Sequence, residues 1–369
     1  MTAQLSGERT SSPEHCAGSS NDVPRDEPEP EARAQQDERV EGGGNQPGHR
    51  PGHDGTKELV HPHTGAFELT VDHHRPPMVE GAQYTCLEVA TMPELPEMQA
   101  LSERLDAALH GKTLSRTDLL GFSSLKTFAP TPEELVGSQV TSVTRRGKYL
   151  IFNLEGGRRI LLHLSQAGRV DLESPPKSTK PRGALVRFVF DGTGLLVREH
   201  GTQRKAGWWV LSEGDEGPLA TLGPEPGDPA FAALFLEGDS TRQVHTLLRD
   251  QHFVAGVGRG YADDALNRAR LSPFVSLRAL SPQERKDLVR SVETVFAEAL
   301  ERERTRTGAL SEPKLGERFL VHNRTGEPCP NCAAPLQSVR FDSHEVVYCP
   351  RCQTKGKVLA DRRLSRLLR

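Results

Sequence analysis

The amino-acid sequence changes character abruptly at Met92, and this break decides how much of the 369-residue chain can form a packed core. Residues 1–91 are rich in Ser, Pro, Glu, Gly and Gln, as in the run EPEPEARAQQDERVEGGGNQPGHRPGHDG. Such a segment buries too little apolar surface to offset the entropy lost on ordering, so we expect it to be disordered. Its histidines follow no fixed ligand spacing, which favours this interpretation over a metal-binding tract. The segment is then either an acidic tail or a leader translated from a misassigned start codon.

The charge of the chain is divided unevenly at this break. Residues 1–91 carry 16 acidic against 7 basic side chains, whereas residues 92–369 carry 34 acidic against 40 basic ones. A basic folded part favours a polyanionic partner, although net charge bears on association and not on fold. No apolar run approaches the roughly 18 residues that cross a bilayer, and no basic-then-apolar leader opens the sequence. We therefore expect a cytoplasmic protein with no membrane partner.

After Met92 the sequence first predicts one helix and then a set of short strands. MPELPEMQALSERLDAALHGK indicates a helix, because apolar residues recur on one face from Met98 to Leu109 and Gly111 follows them. Apolar runs separated by Gly, Pro and Asp then predict the strands of a β-sandwich over residues 92–220. These runs lie at 140–144, 149–154, 160–164, 185–190 and 195–197.

The second half of the chain is predicted to be helical. Residues 212–229, SEGDEGPLATLGPEPGDP, are typical of a linker, and the apolar pattern from about residue 228 has a helical period. A capping box that begins at Ser281 predicts a helix extending through Glu301. The predicted fold class is therefore α+β, with a helix and a β-sandwich followed by a helical domain.

Four cysteines near the end of the chain have the spacing of a metal site. Two Cys-x2-Cys pairs, separated by sixteen residues, suit a tetrahedral four-thiolate zinc site on two knuckles. The alternative, a pair of disulfides, is disfavoured in a cytoplasmic protein. One zinc held in this way is structural, because four thiolates leave no position open for chemistry. The ligands are Cys329, Cys332, Cys349 and Cys352.

Four segments taken together carry a family resemblance. They are MPELPE at 92–97, RRGKYL at 145–150, DQHFVAGVGRGYADDAL at 250–266 and HNRTGEPC at 322–329, the last opening the cysteine hairpin. In this order they resemble the formamidopyrimidine-DNA glycosylase/endonuclease VIII family, over all of 92–369 and none of 1–91. The resemblance implies a helix–two-turn–helix in the helical domain and a zinc-finger β-hairpin after it. It also implies a monomer that acts on double-stranded DNA containing damaged bases.

The resemblance implies catalytic groups at the start of the predicted helix. In the family the initiating Met is removed and the exposed proline amine attacks C1′ of the damaged nucleotide, which maps onto Pro93. Glu94 matches the acid that protonates the sugar ring oxygen, and Lys148 matches the lysine that holds the flanking phosphates. Glu97 matches a second acidic position, although Glu97 and Pro93 also suit a first helical turn on structural grounds alone. While Met92 is attached the Pro93 nitrogen is an amide, so its role requires a chain that begins at Pro93.

The resemblance also implies residues that bind DNA. Gly258 and Arg259 lie in the turn of the helix–two-turn–helix, whose backbone amides can approach a phosphate at the next helix. A Rossmann loop does not explain these glycines, because no strand precedes them in a βαβ unit. The family has Asn in place of Arg259 and Arg in place of His344, and both replacements can still contact phosphate. Arg204 is retained from the family pattern.

Two departures concern the side chains that fill the gap left by a flipped-out base. Gln166 stands where the family has Met, and Ala206 stands where it has an aromatic wedge. Flipping a base out of the duplex costs a few kcal/mol, and side chains that fill the resulting gap less well raise that cost. The preferred lesion is therefore left open by the sequence.

These observations predict a bifunctional DNA glycosylase/AP lyase that forms a Schiff base on the N-terminal proline. One alternative is a catalytically weak or inactive DNA-damage-binding protein on the same scaffold, and another is a zinc-ribbon adaptor unrelated to repair. The predicted division is a disordered acidic extension at 1–91, a catalytic β-sandwich domain at 92–220 and a helical domain at 228–318. A zinc-finger hairpin at 319–355 and a basic tail at 356–369 follow.

Overall fold

The structure, a computed structural model, describes residues 92–200, 205–310, 318–341 and 344–359. The acidic segment 1–91 and residues 360–369 lie outside the described residues, so what the sequence predicts for them stays a prediction. The first half contains α1 (Leu95–Leu109), β1 (Leu114–Leu119), β2 (Val140–Arg146), β3 (Tyr149–Leu154), β4 (Arg159–His163), β5 (Gly168–Glu173), β6 (Ala184–Phe190), β7 (Thr193–Glu199) and β8 (Gly207–Leu211). The second half contains α2 (Pro229–Leu236), α3 (Val244–Arg249), α4 (Arg259–Arg268), α5 (Pro282–Thr305), β9 (Gln337–Phe341), β10 (His344–Tyr348) and α6 (Pro350–Thr354).

The first eight strands form two antiparallel four-stranded sheets, in the orders β1-β6-β7-β5 and β2-β3-β4-β8. Apolar side chains from both sheets and from α1 form one core. Within it the rings of Phe188 and Trp208 meet edge to face with centroids 5.1 Å apart, a favourable geometry for aromatic pairs. The α+β fold class predicted from the sequence is confirmed.

Five of these eight strands coincide with the apolar runs in the sequence, namely β2, β3, β4, β6 and β7. Asp191 and Gly192 join β6 to β7, as expected of a hairpin turn. The sequence did not predict β1, β5 or β8. The first two mix apolar with charged side chains, as in LSRTDL and GRVDLE, whereas β8 is an apolar run, GWWVL, that was not singled out.

The helices of the second half surround a separate apolar core. Helix α5 begins after Ser281, whose hydroxyl accepts the Glu284 amide over 3.3 Å, as the capping box predicts. It extends four residues beyond the predicted end, to Thr305. Among the described helices, none combines the length and the apolar character that crossing a membrane would need.

Helix α1 contributes to both cores. Leu95 packs in the core of the helical half, whereas Met98, Leu101, Leu105 and Leu109 pack in the core of the sandwich. The first turn of α1 therefore lies where the two halves meet, and it brings Pro93 and Glu94 to this junction.

Candidate active site

The junction is closed by a backbone contact between α1 and the turn before α4. The Leu95 amide donates to the Gly256 carbonyl over 3.0 Å. Gly256 has a φ of +91°, and an added Cβ would lie 2.7 Å from a Leu95 methyl carbon. Only glycine accepts both this backbone conformation and this close approach. The turn thereby fixes the start of α1 against the helical half.

Glu94 is buried, and its carboxylate binds the backbone at the start of α4. The amides of Gly258 and Gly260 donate to Glu94 Oε2 and Oε1 over 2.5 and 3.0 Å. A carboxylate is favoured there because the N-terminal end of a helix carries partial positive charge. A Cβ at Gly258 would come within 2.4 Å of the Glu94 carboxyl carbon, so glycine is required. The sequence predicts a phosphate at the amides of this turn, and in the structure Glu94 binds two of them.

Glu97 is also buried, and its contacts are with protein groups. Its Oε2 accepts the Glu94 amide over 2.8 Å and lies 3.0 Å from Arg318 Nη1. The Tyr261 hydroxyl donates to Oε1. Burial raises the pKa of Glu97, against the opposing effect of Arg318. These contacts tie α1 to α4 and to the segment that follows α5, which favours a structural role for Glu97.

Pro93 is buried between Met92 and Glu94. The Arg318 Nη2 donates to the Met92 carbonyl over 2.7 Å, so the peptide group that contains the Pro93 nitrogen is held in place. The same Arg318 side chain contacts the Glu97 carboxylate. A nucleophile at this nitrogen needs the bond to Met92 broken, because an amide nitrogen has a delocalised lone pair.

Lys148 follows a rigid turn between β2 and β3. The Glu225 carboxylate accepts the Arg145 and Arg146 guanidinium groups over 2.5 and 2.6 Å and the Gly147 amide over 2.6 Å. This network fixes the turn to the linker between the two halves. Lys148 itself is buried, and burial lowers the pKa of its ammonium group despite the nearby Glu94. An anion that entered the site would favour the charged form.

A cavity of about 320 Å³ lies at this junction, and four of the predicted catalytic and DNA-binding residues line it. Glu94, Lys148, Gly258 and Arg259 share its wall with Met92. Carboxylate, amine, guanidinium and helix amides thus meet in one pocket, and the roles that the resemblance implies for them stay predictions.

Of the positions that depart from the family pattern, Gln166 and Arg259 line the pocket. Gln166 is exposed at its edge. His163 lines it too, and burial together with Lys148 lowers the pKa of the imidazole to about 4, so it is neutral near pH 7. Ala206 is buried in the sandwich core and provides no wedge. Arg204 lies outside the described residues, and for His344 only the backbone is described, at the start of β10.

Sequence reasoning missed three cationic groups at the junction. Arg249, at the end of α3, and His322 line the pocket, and Arg318 contacts the lining residue Met92 and the neighbouring Glu97. For His322 the available signal was the pair of consecutive aspartates in α4, Asp263 and Asp264, because buried aspartates need partners. Their partners are remote in sequence, which is why the sequence alone did not reveal them.

The four cysteine side chains converge as their spacing predicts. Their sulfur atoms all lie within 4.8 Å of one another, and Cys332 Sγ is 3.5 Å from Cys349 Sγ. Tetrahedral zinc with Zn–S bonds of about 2.3 Å needs sulfur separations of about 3.8 Å. The amides of Asn331 and Cys352 donate to two of the sulfur atoms over 3.4 Å, which stabilises thiolate character. The donor set fits a zinc ion.

The cysteine hairpin is bound to α4. Asn267 Nδ2 donates to Gln353 Oε1 over 3.0 Å and lies 3.7 Å from Cys329 Sγ. The Val347 amide donates to the Asp263 carboxylate over 3.1 Å. Helix α4 therefore connects the four cysteines to the turn that holds Glu94.

Three family models match the chain. The formamidopyrimidine-DNA glycosylase N-terminal domain matches residues 92–209, and the H2TH domain of the same family matches residues 222–310. The zinc finger found in this glycosylase and in isoleucyl-tRNA synthetase matches residues 326–355. With the cysteine cluster, this match indicates a zinc finger.

Individual relatives agree with these matches. A formamidopyrimidine-DNA glycosylase of Symbiobacterium thermophilum is 35% identical over 291 residues, covering 74% of this chain and 93% of the relative. One from Thermus thermophilus is 36% identical, covering 72% and 100%.

Solved structures give the same result. The crystal structure of the MutM (Fpg) protein from Thermus thermophilus is similar with a TM-score of 0.62 and 33% identity, covering 72% of this chain and 100% of that one. A Lactococcus lactis Fpg mutant in complex with Fapy-dG containing DNA is similar with a TM-score of 0.64 and 26% identity, covering 71% and 99%. The chain belongs to the formamidopyrimidine-DNA glycosylase family.

Proposed function

We propose that this DNA glycosylase of base-excision repair is bifunctional, and that it excises oxidised or ring-opened bases and then nicks the strand through a Schiff base on Pro93. One observation carries the proposal: Pro93 and Glu94 are buried beside the pocket that Lys148 and the start of α4 also line. A nucleophile, an acid and a phosphate-binding cation are the groups that such a reaction needs.

The reaction follows from these groups once Pro93 is the first residue. The secondary amine attacks C1′, and the N-glycosidic bond breaks with its electron pair on the departing base, which takes a proton from water. The Glu94 carboxylate takes the proton that the amine loses and passes it to the ring oxygen as the sugar opens, which leaves an iminium between the Pro93 nitrogen and C1′. Loss of a C2′ proton then expels the 3′ phosphate and breaks the C3′–O3′ bond.

The partner that we propose is double-stranded DNA containing a damaged base, bound by a monomer. The support is the pocket's cations and the similar Lactococcus lactis protein, whose solved complex contains Fapy-dG in DNA. Lys148 and Arg259 would bind the flanking phosphates, with Arg204, Gly258 and His344 as further DNA contacts. We also propose that one zinc, held by the four cysteines, is structural, and that the domains divide as the sequence predicts.

A second candidate function is supported by a specific observation. Gln166 and the buried Ala206 provide neither of the family's apolar plugs, so a flipped-out base leaves its gap poorly filled. A protein that binds damaged DNA but turns over slowly would fit these two positions.

Base release and strand cleavage, measured separately, distinguish the two functions. On a duplex with one formamidopyrimidine lesion, the chain that begins at Pro93 should release the base and nick the lesion strand. Glu94→Gln should slow base release by about 10² to 10⁴ while the protein stays folded, because Gln keeps a carbonyl oxygen for one α4 amide but has no acidic proton. Tight binding with neither release nor nicking would favour the second candidate. Release without nicking would show a glycosylase that is not a lyase.

Lys148→Ala should weaken binding to damaged and undamaged duplexes alike. The slope of log K against log salt concentration should fall by roughly one unit in magnitude for each phosphate contact that is lost. Fluorescence anisotropy over a salt series measures both quantities. Lys286→Ala, which removes an exposed lysine of α5, is the matched control and should leave the slope unchanged. A loss confined to one lesion type would mean that Lys148 reads the base and not the phosphate.

A further inference from the structure

A cluster of three buried titratable side chains borders the pocket, and the proposed reaction does not use it. Asp263 lies in α4, and its side chain is inaccessible to solvent. Its Oδ2 is 2.7 Å from His322 Nδ1, and its Oδ1 is 3.1 Å from His245 Nε2, in α3. Asp264, next in α4, accepts the backbone amides of Leu320 and Val321 over 2.8 and 2.9 Å. The segment that carries His322 is therefore fixed to α4.

This arrangement sets the charge and the orientation of His322. The two histidines lower the pKa of Asp263, so it is a carboxylate. Against the effect of burial, that carboxylate raises the pKa of His322, with smaller contributions from Glu94 and Asp264. Because Nδ1 bonds to Asp263, the Nε2 of His322 is the ring nitrogen left for the pocket that this residue lines. The raised pKa favours the protonated imidazole, the form in which Nε2 of His322 is a hydrogen-bond donor oriented by Asp263.

Arg249 provides a second cation to the same pocket. It ends α3, is half-buried and lines the pocket. Within the described ranges, no carboxylate lies at ion-pair distance from its guanidinium group, although Asp263 and Glu94 attract it more weakly. Burial and the neighbouring Arg259 both lower its pKa. A half-buried guanidinium without an ion pair is costly, and an anion bound in the pocket would offset that cost.

We propose that Arg249 and His322 form a subsite for a terminal phosphomonoester, the group at the end of a broken DNA strand. An internal phosphodiester carries one negative charge, which Lys148 can match. A terminal phosphomonoester carries about 1.5 to 2 negative charges near neutral pH, so it gains more from two additional oriented donors. The guanidinium fork and an imidazole N–H suit the oxygens of one phosphate group.

The proposal names the ligand class of the pocket after strand cleavage, and to that extent it rests on the proposed function. The first elimination leaves a 5′ phosphate on the strand beyond the lesion. A second elimination, which breaks the C5′–O5′ bond, leaves a 3′ phosphate. Either end carries the phosphomonoester, and a 3′ phosphate must be removed by a phosphate-releasing hydrolysis before a polymerase can extend that end.

Binding to pre-formed gaps tests the subsite without any catalysis. Duplexes with a one-nucleotide gap would carry a phosphate at the 3′ end, at the 5′ end, at both or at neither, and affinity would be measured by anisotropy at fixed ionic strength. We expect at least one phosphate-ended gap to bind about tenfold more tightly than the hydroxyl-ended gap. Arg249→Met should reduce that ratio to about one, with a much larger loss of affinity for the phosphate-ended gap than for the hydroxyl-ended one. Arg249→Lys should retain part of the preference.

One variant serves as the control for Arg249→Met, and two outcomes would contradict the subsite. Arg242→Met removes an exposed arginine just before α3 that pairs with Asp250, and it should keep the full phosphate preference. Inorganic phosphate should displace the phosphate-ended gap more than the hydroxyl-ended one from the unaltered protein, a result that needs no variant to fold. Equal affinity for both kinds of end, or equal losses for both on Arg249→Met, overturns the subsite. A protein that releases no base yet prefers phosphate ends overturns the proposed function and leaves the subsite standing.

Discussion

A chain that begins at Pro93 should form a covalent adduct with abasic DNA when borohydride is added, and the full 369-residue chain should form none. The reason is covalent: in the full chain the Pro93 nitrogen is an amide, and it can neither attack C1′ nor form an iminium. Met92 itself lines the pocket, and its carbonyl accepts Arg318 Nη2, so the full chain keeps this residue at the site. Adduct formation by the full chain should therefore be at background, as measured by intact mass and by a gel shift of labelled DNA.

One control variant and one measurement on the native protein test whether the adduct forms on Pro93. Lys148→Ala in the chain that begins at Pro93 should still trap, though it needs more protein because DNA binding is weaker. Sequencing the N-terminus of the protein isolated from its native host should give Pro93 first. Adduct formation by the full chain would show another nucleophile, and Lys148 would be the first to test, because burial lowers its pKa and so favours the neutral amine.

The second large effect should follow loss of the metal. Cys349→Ala should abolish binding of the one zinc per chain and unravel the cysteine hairpin, since structural zinc sites contribute about 10 to 16 kcal/mol of apparent binding free energy. DNA affinity should fall sharply while the β-sandwich stays folded, because its core contains no residue of the hairpin. Metal analysis, circular dichroism and anisotropy together measure the three outcomes.

The hairpin contacts explain why the effect should reach the pocket. Without the cluster, Val347 loses its fixed bond to Asp263, and Gln353 loses its bonds to Asn267 and to the Cys349 amide. Lys286→Ala changes an exposed residue of α5 outside the hairpin and should alter neither zinc content nor affinity. A metal-free preparation with full DNA affinity would contradict the structural role.

The sequence predicted the parts of the fold that depend on neighbours along the chain. The strands β2, β3 and β4 follow a local apolar pattern. Within each Cys-x2-Cys pair, a single turn of the chain brings the two cysteines together. The strands β1 and β5 were missed because charged side chains interrupt their patterns, and only pairing with β6 and β7 makes them strands.

The site was predicted where a motif is contiguous and missed where it depends on docking. Pro93, Glu94 and Lys148 were named from short segments that match the family. The bonds from the α4 amides to Glu94 join residues 164 and 166 positions apart, and no local pattern encodes them. Likewise His322 meets Asp263 across 59 positions in the chain. The sequence did not reveal this contact, although His322 is the first residue of the HNRTGEPC segment.

Because of the hydrogen bonds between Glu94 and the start of α4, the position of this acid depends on contact between the two halves. Glu94 belongs to the chain end that enters the sandwich core, while both of its donors belong to the helical half. A hinge motion that separates the halves by about 1 Å stretches both hydrogen bonds beyond their useful length. An open protein moving along undamaged DNA would then have a misplaced acid, and only closure would restore it. Chemistry would be confined to the closed state without a dedicated regulatory element.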